Sequence, residues 1–312
     1  MDLVLLFPGQ GSQKPGMAKD LVDAQPAARE LFASVDRALG TPLSKLCFEG
    51  PAEELTLTHN AQPALLAHSL AVWAVVRDRL APFVRAAAGH SLGEFTAYAA
   101  AGSFTPTAAA TLVRQRGTLM YEAGVRTPGA MAAILGHPST PIEEICERAS
   151  RERGTVVPAN YNSPEQVVIS GELAGVDRAM ELAKEAGAKR ALKLNVSGAF
   201  HSPLMASAEE GLAAAIDAAA MRAPAFPVIS NVTGGPVMAV AEARSLLIRQ
   251  LTSPVCWTDV VKYLAAQYPS ALFVEMGPGN VLSGLVRRIA PGVATATCGT
   301  AAEVDALLAR VA

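Results

Sequence analysis

The sequence predicts an α/β protein in which helices cover both faces of a parallel sheet and one smaller subdomain interrupts the core. The chain has 312 residues, 51% hydrophobic and 17% charged, so it can bury a large core. Alanine-rich helical patterns alternate with short Val, Ile and Leu runs along most of the sequence, which is typical of such a sheet. Between residues 126 and 196 this alternation changes, which indicates an insertion.

The core elements follow from the periodicity of the apolar residues, taken in chain order. Residues 3–7 and 83–88 are short apolar runs that predict buried strands, and further core strands are predicted at 228–231 and 272–275. A helix is predicted to start at residues 94–101, directly after the second strand. Further helices are predicted at 26–39, 62–80, 106–123, 204–220, 239–250 and 257–267.

The inserted segment is predicted to run strand, helix, strand, strand, helix, strand. Its elements are predicted at 130–135, 140–151, 156–161, 167–170, 175–186 and 190–194. This is the order of a ferredoxin-like split β-α-β module, and the turn-forming residues Arg126-Thr127-Pro128-Gly129 mark its entry. We therefore predict a core of residues 1–125 and 197–312 and a ferredoxin-like subdomain of residues 126–196.

Composition argues against several classes of function. The formal net charge is -2 and the isoelectric point about 6.2, so no basic field favours nucleic acid or a membrane surface. The four cysteines are scattered, with no C-x-x-C and no histidine at metal-ligand spacing, which predicts no metal site and no disulfide scaffold. The N-terminal apolar run is only five residues long and follows Asp2, unlike a signal peptide. We expect a cytoplasmic protein with no nucleic-acid and no membrane partner.

A nucleophilic serine is indicated by Gly89-His90-Ser91-Leu92-Gly93, a G-x-S-x-G pattern between a predicted strand and a predicted helix. In that context the pattern makes a sharp turn that exposes the serine hydroxyl, as in an α/β-hydrolase-like core. The pentapeptide alone is equally compatible with an ordinary turn. A second loop, Pro8-Gly9-Gln10-Gly11-Ser12-Gln13, follows the first strand, and its amides can point at an anion. The two loops together favour a catalytic serine.

The serine needs a base within hydrogen-bond reach, most often a histidine, and the chain has five. His201 lies where the subdomain returns to the core, between a strand and a helix, a position typical of catalytic side chains. His90 adjoins the serine and is expected to be structural. His59, His68 and His137 fit a polar turn, a helix and a surface turn, so none of them is a strong candidate.

The acidic member of a serine-histidine-acid triad has no obvious candidate. An α/β-hydrolase carries its Asp or Glu between the serine and the histidine in chain order. The only aspartate between Ser91 and His201 is Asp177, inside a predicted subdomain helix, which weakens the hydrolase hypothesis. A backbone carbonyl can instead orient the histidine by accepting its other ring proton.

Two arginines lie on the helix that follows the serine turn. Arg114 and Arg116 are two positions apart and point in different directions, so at most one of them is expected to face the serine. The alternative is that both are solvated and pair with acids such as Glu122. A guanidinium in the pocket would bind a carboxylate through two parallel hydrogen bonds, which predicts a substrate with a free carboxylate.

Five ordered motifs together resemble malonyl-CoA:acyl carrier protein transacylases of fatty-acid synthesis and the related acyltransferases of polyketide synthases. The resemblance covers nearly the whole chain. The motifs are Phe7-Pro8-Gly9-Gln10-Gly11-Ser12-Gln13, Gly89-His90-Ser91-Leu92-Gly93-Glu94, Gln115-Arg116-Gly117, Gly198-Ala199-Phe200-His201-Ser202 and Glu275-Met276-Gly277-Pro278-Gly279.

The resemblance implies roles for the groups that carry out the chemistry. Ser91 would be the acylated nucleophile, and His201 the base that deprotonates it and then protonates the departing thiolate. The backbone amides of Gln10 and Leu92 would form the oxyanion hole. The main-chain carbonyl of Ser253 would orient the histidine, although similar bacterial enzymes often carry asparagine at this position.

The resemblance also implies roles in substrate binding. Arg116 would bind the malonyl carboxylate, and Phe200 would leave little space for a branched acyl group. Asn160 and Asn162 would help to line the pocket, although both are equally compatible with capping a turn.

The implied reaction is ping-pong transfer of a malonyl group from malonyl-CoA, through a Ser91 acyl-enzyme, to the phosphopantetheine thiol of an acyl carrier protein. No metal or redox cofactor is expected. Three alternatives remain open at this point. They are a discrete acyltransferase serving a polyketide synthase, a serine hydrolase or thioesterase, and a non-catalytic protein that binds the carrier.

Overall fold

The computed structural model describes residues 1–311 and contains two β-sheets. The strands of this part of the chain are β1 (Leu3–Phe7), β2 (Val84–Gly89), β3 (Gly129–Leu135), β4 (Val156–Ser163), β5 (Gln166–Glu172), β6 (Arg190–Lys193), β7 (Val228–Ile229), β8 (Pro236–Val237), β9 (Leu272–Met276) and β10 (Thr295–Cys298).

The helices connect these strands and lie on both faces of the larger sheet and on the smaller one. They are α1 (Lys19–Ala24), α2 (Pro26–Leu39), α3 (Leu43–Glu49), α4 (Ala52–Thr56), α5 (Thr58–Leu80), α6 (Leu92–Ala100), α7 (Pro106–Arg126), α8 (Ile142–Arg153), α9 (Leu173–Glu185), α10 (Glu209–Ala218), α11 (Val240–Arg249), α12 (Trp257–Gln267), α13 (Val281–Ile289) and α14 (Ala301–Val311). No helix within residues 1–311 is long and apolar enough to cross a membrane.

The larger sheet has six strands in the order β10-β9-β1-β2-β7-β8, and only β8 runs antiparallel to its neighbour. β1 is completely buried. Its side chains alternate between the two faces, so Leu5 packs into the hydrophobic cluster on one side and Leu6 into the cluster on the other. Burying each such leucine stabilises the fold by about 1.5–3 kcal/mol. This confirms the predicted α/β-hydrolase-like core with a parallel sheet.

The smaller sheet has four antiparallel strands in the order β4-β5-β3-β6. Helices α8 and α9 pack on it through small and branched apolar side chains such as Ile145 and Val176. The element order and the strand order are those of a ferredoxin-like module, which confirms the predicted subdomain fold. All four strands lie within residues 126–196, and the domain boundaries themselves stay predictions.

Two predicted core elements differ from the structure. The single helix predicted at 204–220 is a 3-10 helix at Pro203–Ala208 followed by α10, because Ser202 caps the amide of Leu204 and Pro203 starts a tighter turn. The strand predicted at 228–231 ends at Ile229. The chain leaves the sheet there because the backbone and side chain of Asn231 bond to groups around the serine turn instead.

Helix α7 begins at a strong sequence signal and carries one of the two candidate arginines. The Thr105 hydroxyl accepts a hydrogen bond from the Ala108 amide at 3.2 Å, and Pro106 occupies the first turn, where its missing N–H costs nothing. The buried face of α7 includes Leu112 and Arg116, so an arginine lies in a stripe of apolar and small residues. A charge placed there must find partners inside the protein.

Candidate active site

The site lies at the carboxyl edge of the larger sheet, where two neighbouring parallel strands end. Phe7 pairs with Gly89 at the ends of β1 and β2, so the loops that follow these strands lie side by side. The Phe7 carbonyl accepts a hydrogen bond from the His90 amide at 3.0 Å. A Cβ atom on Gly93 would lie 2.0 Å from the Phe7 oxygen, and one on Gly89 would lie 1.9 Å from the Gly93 backbone. Only glycine at these two positions lets the loops approach so closely.

Ser91 stands at the turn between β2 and α6 in a backbone conformation that non-glycine residues rarely adopt. Its φ is 51° and its ψ is -107°. Such a conformation costs about 1–3 kcal/mol and persists only where the surroundings enforce it. The Ser91 amide donates to Asn231 Oδ1 at 2.7 Å, and Asn231 Nδ2 donates to the Gly89 carbonyl at 2.7 Å. The structure therefore places Ser91 at a nucleophile elbow, as the pattern predicts.

His201 makes a direct hydrogen bond with the serine. Its Nε2 lies 2.8 Å from Ser91 Oγ, and its Nδ1 lies 2.8 Å from the carbonyl oxygen of Gln250. Because a carbonyl can only accept, Nδ1 carries the proton, and Nε2 accepts the serine hydroxyl proton. Burial, reinforced by the nearby Arg116 guanidinium, lowers the pKa of His201 to about 3. The imidazole is therefore a neutral base throughout the neutral pH range.

The predicted role of Ser253 needs correction. The carbonyl that accepts the Nδ1–H of His201 belongs to Gln250, three residues earlier. Gln250 is the C-cap of α11, and the last carbonyls of a helix have no partner within the helix, so this one is free to accept. Among the groups that shift the pKa of His201, the Ser253 backbone has the smallest effect. The histidine is thus oriented by a backbone carbonyl, but not by the predicted one.

Two backbone amides near Ser91 have no backbone acceptor among residues 1–311. The amides of Gly93 and Glu94 donate to the carbonyls of His90 and Ser91 at 2.9 and 3.1 Å. Those of Gln10 and Leu92 donate to no other group within residues 1–311. Both residues line the cavity in front of Ser91, and Leu92 opens helix α6, whose N-terminus favours negative charge. These two amides are free to bind an oxyanion.

Arg116 is buried beside the serine, with only 1% of its surface exposed. Its Nη1 donates to Gln62 Oε1 at 2.7 Å, and its Nη2 donates to Gln250 Oε1 at 2.9 Å and to Ser91 Oγ at 3.2 Å. The guanidinium carbon lies 5.0 Å from the centre of the Phe95 ring, which adds a cation–π contact. Burial lowers the pKa of Arg116 to about 10, so the group stays charged at neutral pH.

Arg114 points elsewhere, as two positions on a helix require. Its Nη1 donates to Asn60 Oδ1, and its side chain is half-buried on another face of α7. Of the two candidate arginines, only Arg116 reaches Ser91.

A cavity of about 490 Å³ opens in front of Ser91. Asn160 and Phe200 line it, and Phe200 is 6% exposed. Asn162 is not part of its lining, and its Oδ1 atom lies 2.7 Å from His90 Nε2. The contact with Asn162 gives His90 a structural partner. Of the two asparagines predicted to line the pocket, only Asn160 does so.

The similarity of this chain to known proteins extends over nearly its whole length. The acyl transferase domain family matches residues 4–302 of this chain. The malonyl CoA-acyl carrier protein transacylase of Bacillus subtilis (strain 168) is 47% identical over 288 residues, covering 92% of this chain and 90% of that protein. This chain belongs to the malonyl CoA-acyl carrier protein transacylase family. The transacylase of Escherichia coli (strain K12) is 43% identical over 311 residues, covering 98% of this chain and 97% of its own.

Solved structures of the transacylase family match the fold as closely. The acyl-carrier-protein-S-malonyltransferase of Bartonella henselae superposes with a TM-score of 0.94 at 43% identity, covering 100% of this chain and 99% of its own. A malonyl-transacylase solved in complex with a type II polyketide synthase acyl-carrier protein gives a TM-score of 0.94 at 40% identity, covering 99% and 100% of the two chains.

The sequence did not indicate four polar residues that hold this transacylase site together. Gln62 and Gln250 bind the guanidinium, while Asn231 and Glu94 support the serine turn. Gln62 and Gln250 lie at the ends of predicted helices, and Asn231 lies at the end of a predicted strand. A polar residue in such a position does not indicate which distant residue it will contact. Glu94 belongs to a motif of the family resemblance, and that was the only available signal.

Proposed function

We propose that this protein transfers a malonyl group from malonyl-CoA to the phosphopantetheine thiol of an acyl carrier protein, as an [acyl-carrier-protein] S-malonyltransferase of fatty-acid biosynthesis. One observation carries the proposal. Ser91 Oγ lies 2.8 Å from the Nε2 atom of His201 and 3.2 Å from the Nη2 atom of Arg116. A nucleophile with its base and a cation for a carboxylate thus meet at a single oxygen atom.

In the first half-reaction Ser91 Oγ attacks the thioester carbonyl of malonyl-CoA while His201 Nε2 takes the hydroxyl proton. The new C–O bond places negative charge on the former carbonyl oxygen, and the Gln10 and Leu92 amides stabilise it. Loss of one such donor typically costs about 10²–10³ in rate. The intermediate collapses, the C–S bond breaks, and the proton on His201 passes to the departing CoA thiolate. The product is a malonyl ester on Ser91.

In the second half-reaction the thiol of the carrier protein gives its proton to His201, and the thiolate attacks the malonyl ester. When the C–O bond breaks, the proton returns to Ser91 Oγ and the malonyl thioester leaves with the carrier. CoA leaves before the carrier protein reacts and the malonyl group stays on Ser91 in between, which makes the reaction ping-pong. Each bond change is balanced by groups of the chain and the two thiols, so the proposed reaction uses no metal and no redox cofactor.

Arg116 supplies selectivity for the free carboxylate of the malonyl group. Of its five N–H groups, three are engaged and the contact with Ser91 Oγ can be exchanged for a carboxylate oxygen. A donor without a carboxylate leaves this buried guanidinium with fewer partners, which is costly. Phe200 in the cavity wall further restricts branched acyl groups.

For carrier docking we propose the exposed basic residues Lys189, Arg190 and Lys193. They lie on or beside β6, which leads directly into Leu194 at the cavity wall, and acyl carrier proteins are generally acidic. Arg190→Glu is expected to raise the KM for the carrier protein and to leave acylation by malonyl-CoA unchanged. The other candidate docking face is the basic pair Arg287 and Arg288 on α13, and an equal or larger effect of Arg288→Glu would argue against the face beside β6.

A discrete acyltransferase that serves a polyketide synthase is the second candidate. It is favoured by the likeness to a malonyl-transacylase solved with a type II polyketide synthase carrier protein. The two functions share every residue of the site, so they differ only in the carrier that is served. We also propose a cytoplasmic location, where both CoA thioesters and carrier proteins are found.

Intact-protein mass spectrometry tests the proposed function directly. Wild type and Ser91→Ala are incubated briefly with malonyl-CoA, and a fatty-acid or a polyketide carrier protein is then added. A malonyl adduct that requires Ser91 and moves to the carrier is expected. An adduct released as free malonate with or without carrier would indicate a hydrolase or thioesterase. No adduct with any acyl-CoA donor would indicate a non-catalytic role.

A further inference from the structure

The reaction described above does not use Glu94, a completely buried carboxylate on the first turn of α6. Its Oε2 accepts a hydrogen bond from Gln250 Nε2 at 2.6 Å and one from the Asn231 amide at 3.2 Å. Its Oε1 has no partner within residues 1–311. Keeping a carboxylate in such a place is costly, and burial raises its pKa to about 7. Because burying this carboxylate is unfavourable, we expect a function of Glu94 among the groups that it contacts.

The side chain of Gln250 connects Glu94 to Arg116. Gln250 Nε2 donates to Glu94, and it also donates to the Ser91 carbonyl at 3.1 Å. Gln250 Oε1 accepts from Arg116 Nη2 at 2.9 Å. A rotation of the amide by half a turn would place its NH₂ group against the guanidinium and its oxygen against the carboxylate. Both contacts would then be repulsive, so Glu94 helps to determine which end of the amide faces Arg116 and holds the Nε2 end in place.

We propose that Glu94 is a positioning residue for donor selectivity, which acts through the Gln250 side chain to hold the Arg116 guanidinium ready for the carboxylate of the malonyl donor. The inference rests on the proposed function, because it concerns the same reaction. It assigns Glu94 no contact with the substrate. It predicts that removing the acceptor at position 94 weakens recognition of a carboxylate more than it weakens attack on a thioester.

A purely structural role of Glu94 predicts a different result. Through Asn231, Glu94 also supports the turn that holds Ser91, and damage to that turn would slow acylation by every donor to the same extent. The ratio of kcat/KM for malonyl-CoA to kcat/KM for acetyl-CoA therefore separates the two roles. Acetyl-CoA is the matched donor because it lacks only the carboxylate.

The decisive variants are Glu94→Met, which keeps a similar volume without an acceptor, and Glu94→Gln, which keeps an acceptor without the charge. We expect Glu94→Met to lower the malonyl-to-acetyl ratio by about tenfold or more, mainly through the KM for malonyl-CoA. Glu94→Gln is expected to retain the ratio within about threefold. Equal loss with both donors, or equal behaviour of the two variants, would overturn the proposal.

A double-mutant cycle tests whether Glu94 acts through Gln250. Gln250→Leu removes the amide but keeps the backbone carbonyl that orients His201. Glu94→Met should then add little to the loss caused by Gln250→Leu, whereas independent, multiplied losses would contradict the proposal. If Glu94→Met does not fold, Gln250→Leu alone must still lower the malonyl-to-acetyl ratio, and an unchanged ratio would overturn it. A wild type that takes no malonyl group would instead contradict the proposed function.

Discussion

The two halves of the site are built in different ways, although they meet at the same serine oxygen. The reacting pair, Ser91 and His201, lies on turns with left-handed backbone, with φ of 51° and 56°. The recognition half, Arg116 and its acceptor Gln62, lies on the regular helices α7 and α5. Strained turns expose the reacting atoms at an edge of the sheet, while regular helices bring a buried cation and its acceptors together.

The two halves are therefore expected to tolerate substitutions differently. A strained turn depends on close backbone packing, such as the approach of Gly93 to the Phe7 carbonyl, and it has little room for other side chains. The recognition half depends on side-chain hydrogen bonds, which can be removed one at a time. Substitutions in the first half are therefore expected to affect all donors, and substitutions in the second half to affect malonyl donors selectively.

The largest effect is expected for His201→Ala in the reacting half. Without a base the serine hydroxyl stays protonated during attack, so acylation should slow by about 10²–10⁴-fold. Malonyl-CoA and acetyl-CoA should lose the same factor, which is measured as the rate of adduct formation on Ser91. A loss confined to malonyl-CoA would contradict the expectation that substitutions in the reacting half affect all donors.

Arg116→Ala should give a smaller but selective loss. The kcat/KM for malonyl-CoA is expected to fall by about 10- to 100-fold, because the carboxylate loses a buried charged partner. Acetyl-CoA should gain relative to malonyl-CoA. Arg114→Ala is the matched control on the same helix, since Arg114 contacts Asn60 and not Ser91, and it should leave the ratio unchanged. Equal proportional losses with both donors would show that Arg116 does not bind the malonyl carboxylate.

The same comparison explains what the sequence could predict. The nucleophile turn is encoded locally in Gly89-His90-Ser91-Leu92-Gly93, so the placement of Ser91 between a strand and a helix followed from the pattern. The geometry that brings His201 to it over 110 positions did not follow from the residues alone. The family resemblance named that pair, but it named Ser253 where the C-cap carbonyl of Gln250 is the acceptor.

The hydrogen-bond partners of Gln62 and Asn231 could not be predicted from the sequence. Gln62 looks like one more residue of an alanine-rich helix, and its role depends on the packing of α5 against α7. Asn231 falls in a predicted strand, yet its side chain supports the Ser91 amide 140 positions away. Neither partner can be identified from local pattern, because side-chain hydrogen bonds across the fold have no sequence period.

Gln62→Met should weaken malonyl recognition indirectly, because Gln62 contacts Arg116 and not the serine. The substitution leaves the Nη1 group of Arg116 without its acceptor while keeping a similar volume beside Met120. We expect the kcat/KM for malonyl-CoA to fall by about 3- to 10-fold, with acetyl-CoA nearly unaffected. Measuring the two donors in competition gives the ratio directly. A full loss of both activities would indicate that Gln62 supports the fold of the site rather than the guanidinium.

The smallest effect is expected on the pH dependence, because the charge of Arg116 in the recognition half lowers the pKa of His201 in the reacting half. The pKa of His201 is lowered to about 3, first by burial and then by the Arg116 guanidinium, so protonated His201 appears only in acid. Because the base must be neutral, the acid limb of kcat/KM lies below the ordinary histidine pKa in wild type. Arg116→Ala removes the repulsion, raises the pKa of His201, and should move this limb to higher pH. The profile is measured with acetyl-CoA, and in a Glu94→Gln background so that the buried carboxylate does not contribute. An acid limb that stays in place would mean that Arg116 does not shift the pKa of His201, and that the cation which binds the carboxylate does not influence the base.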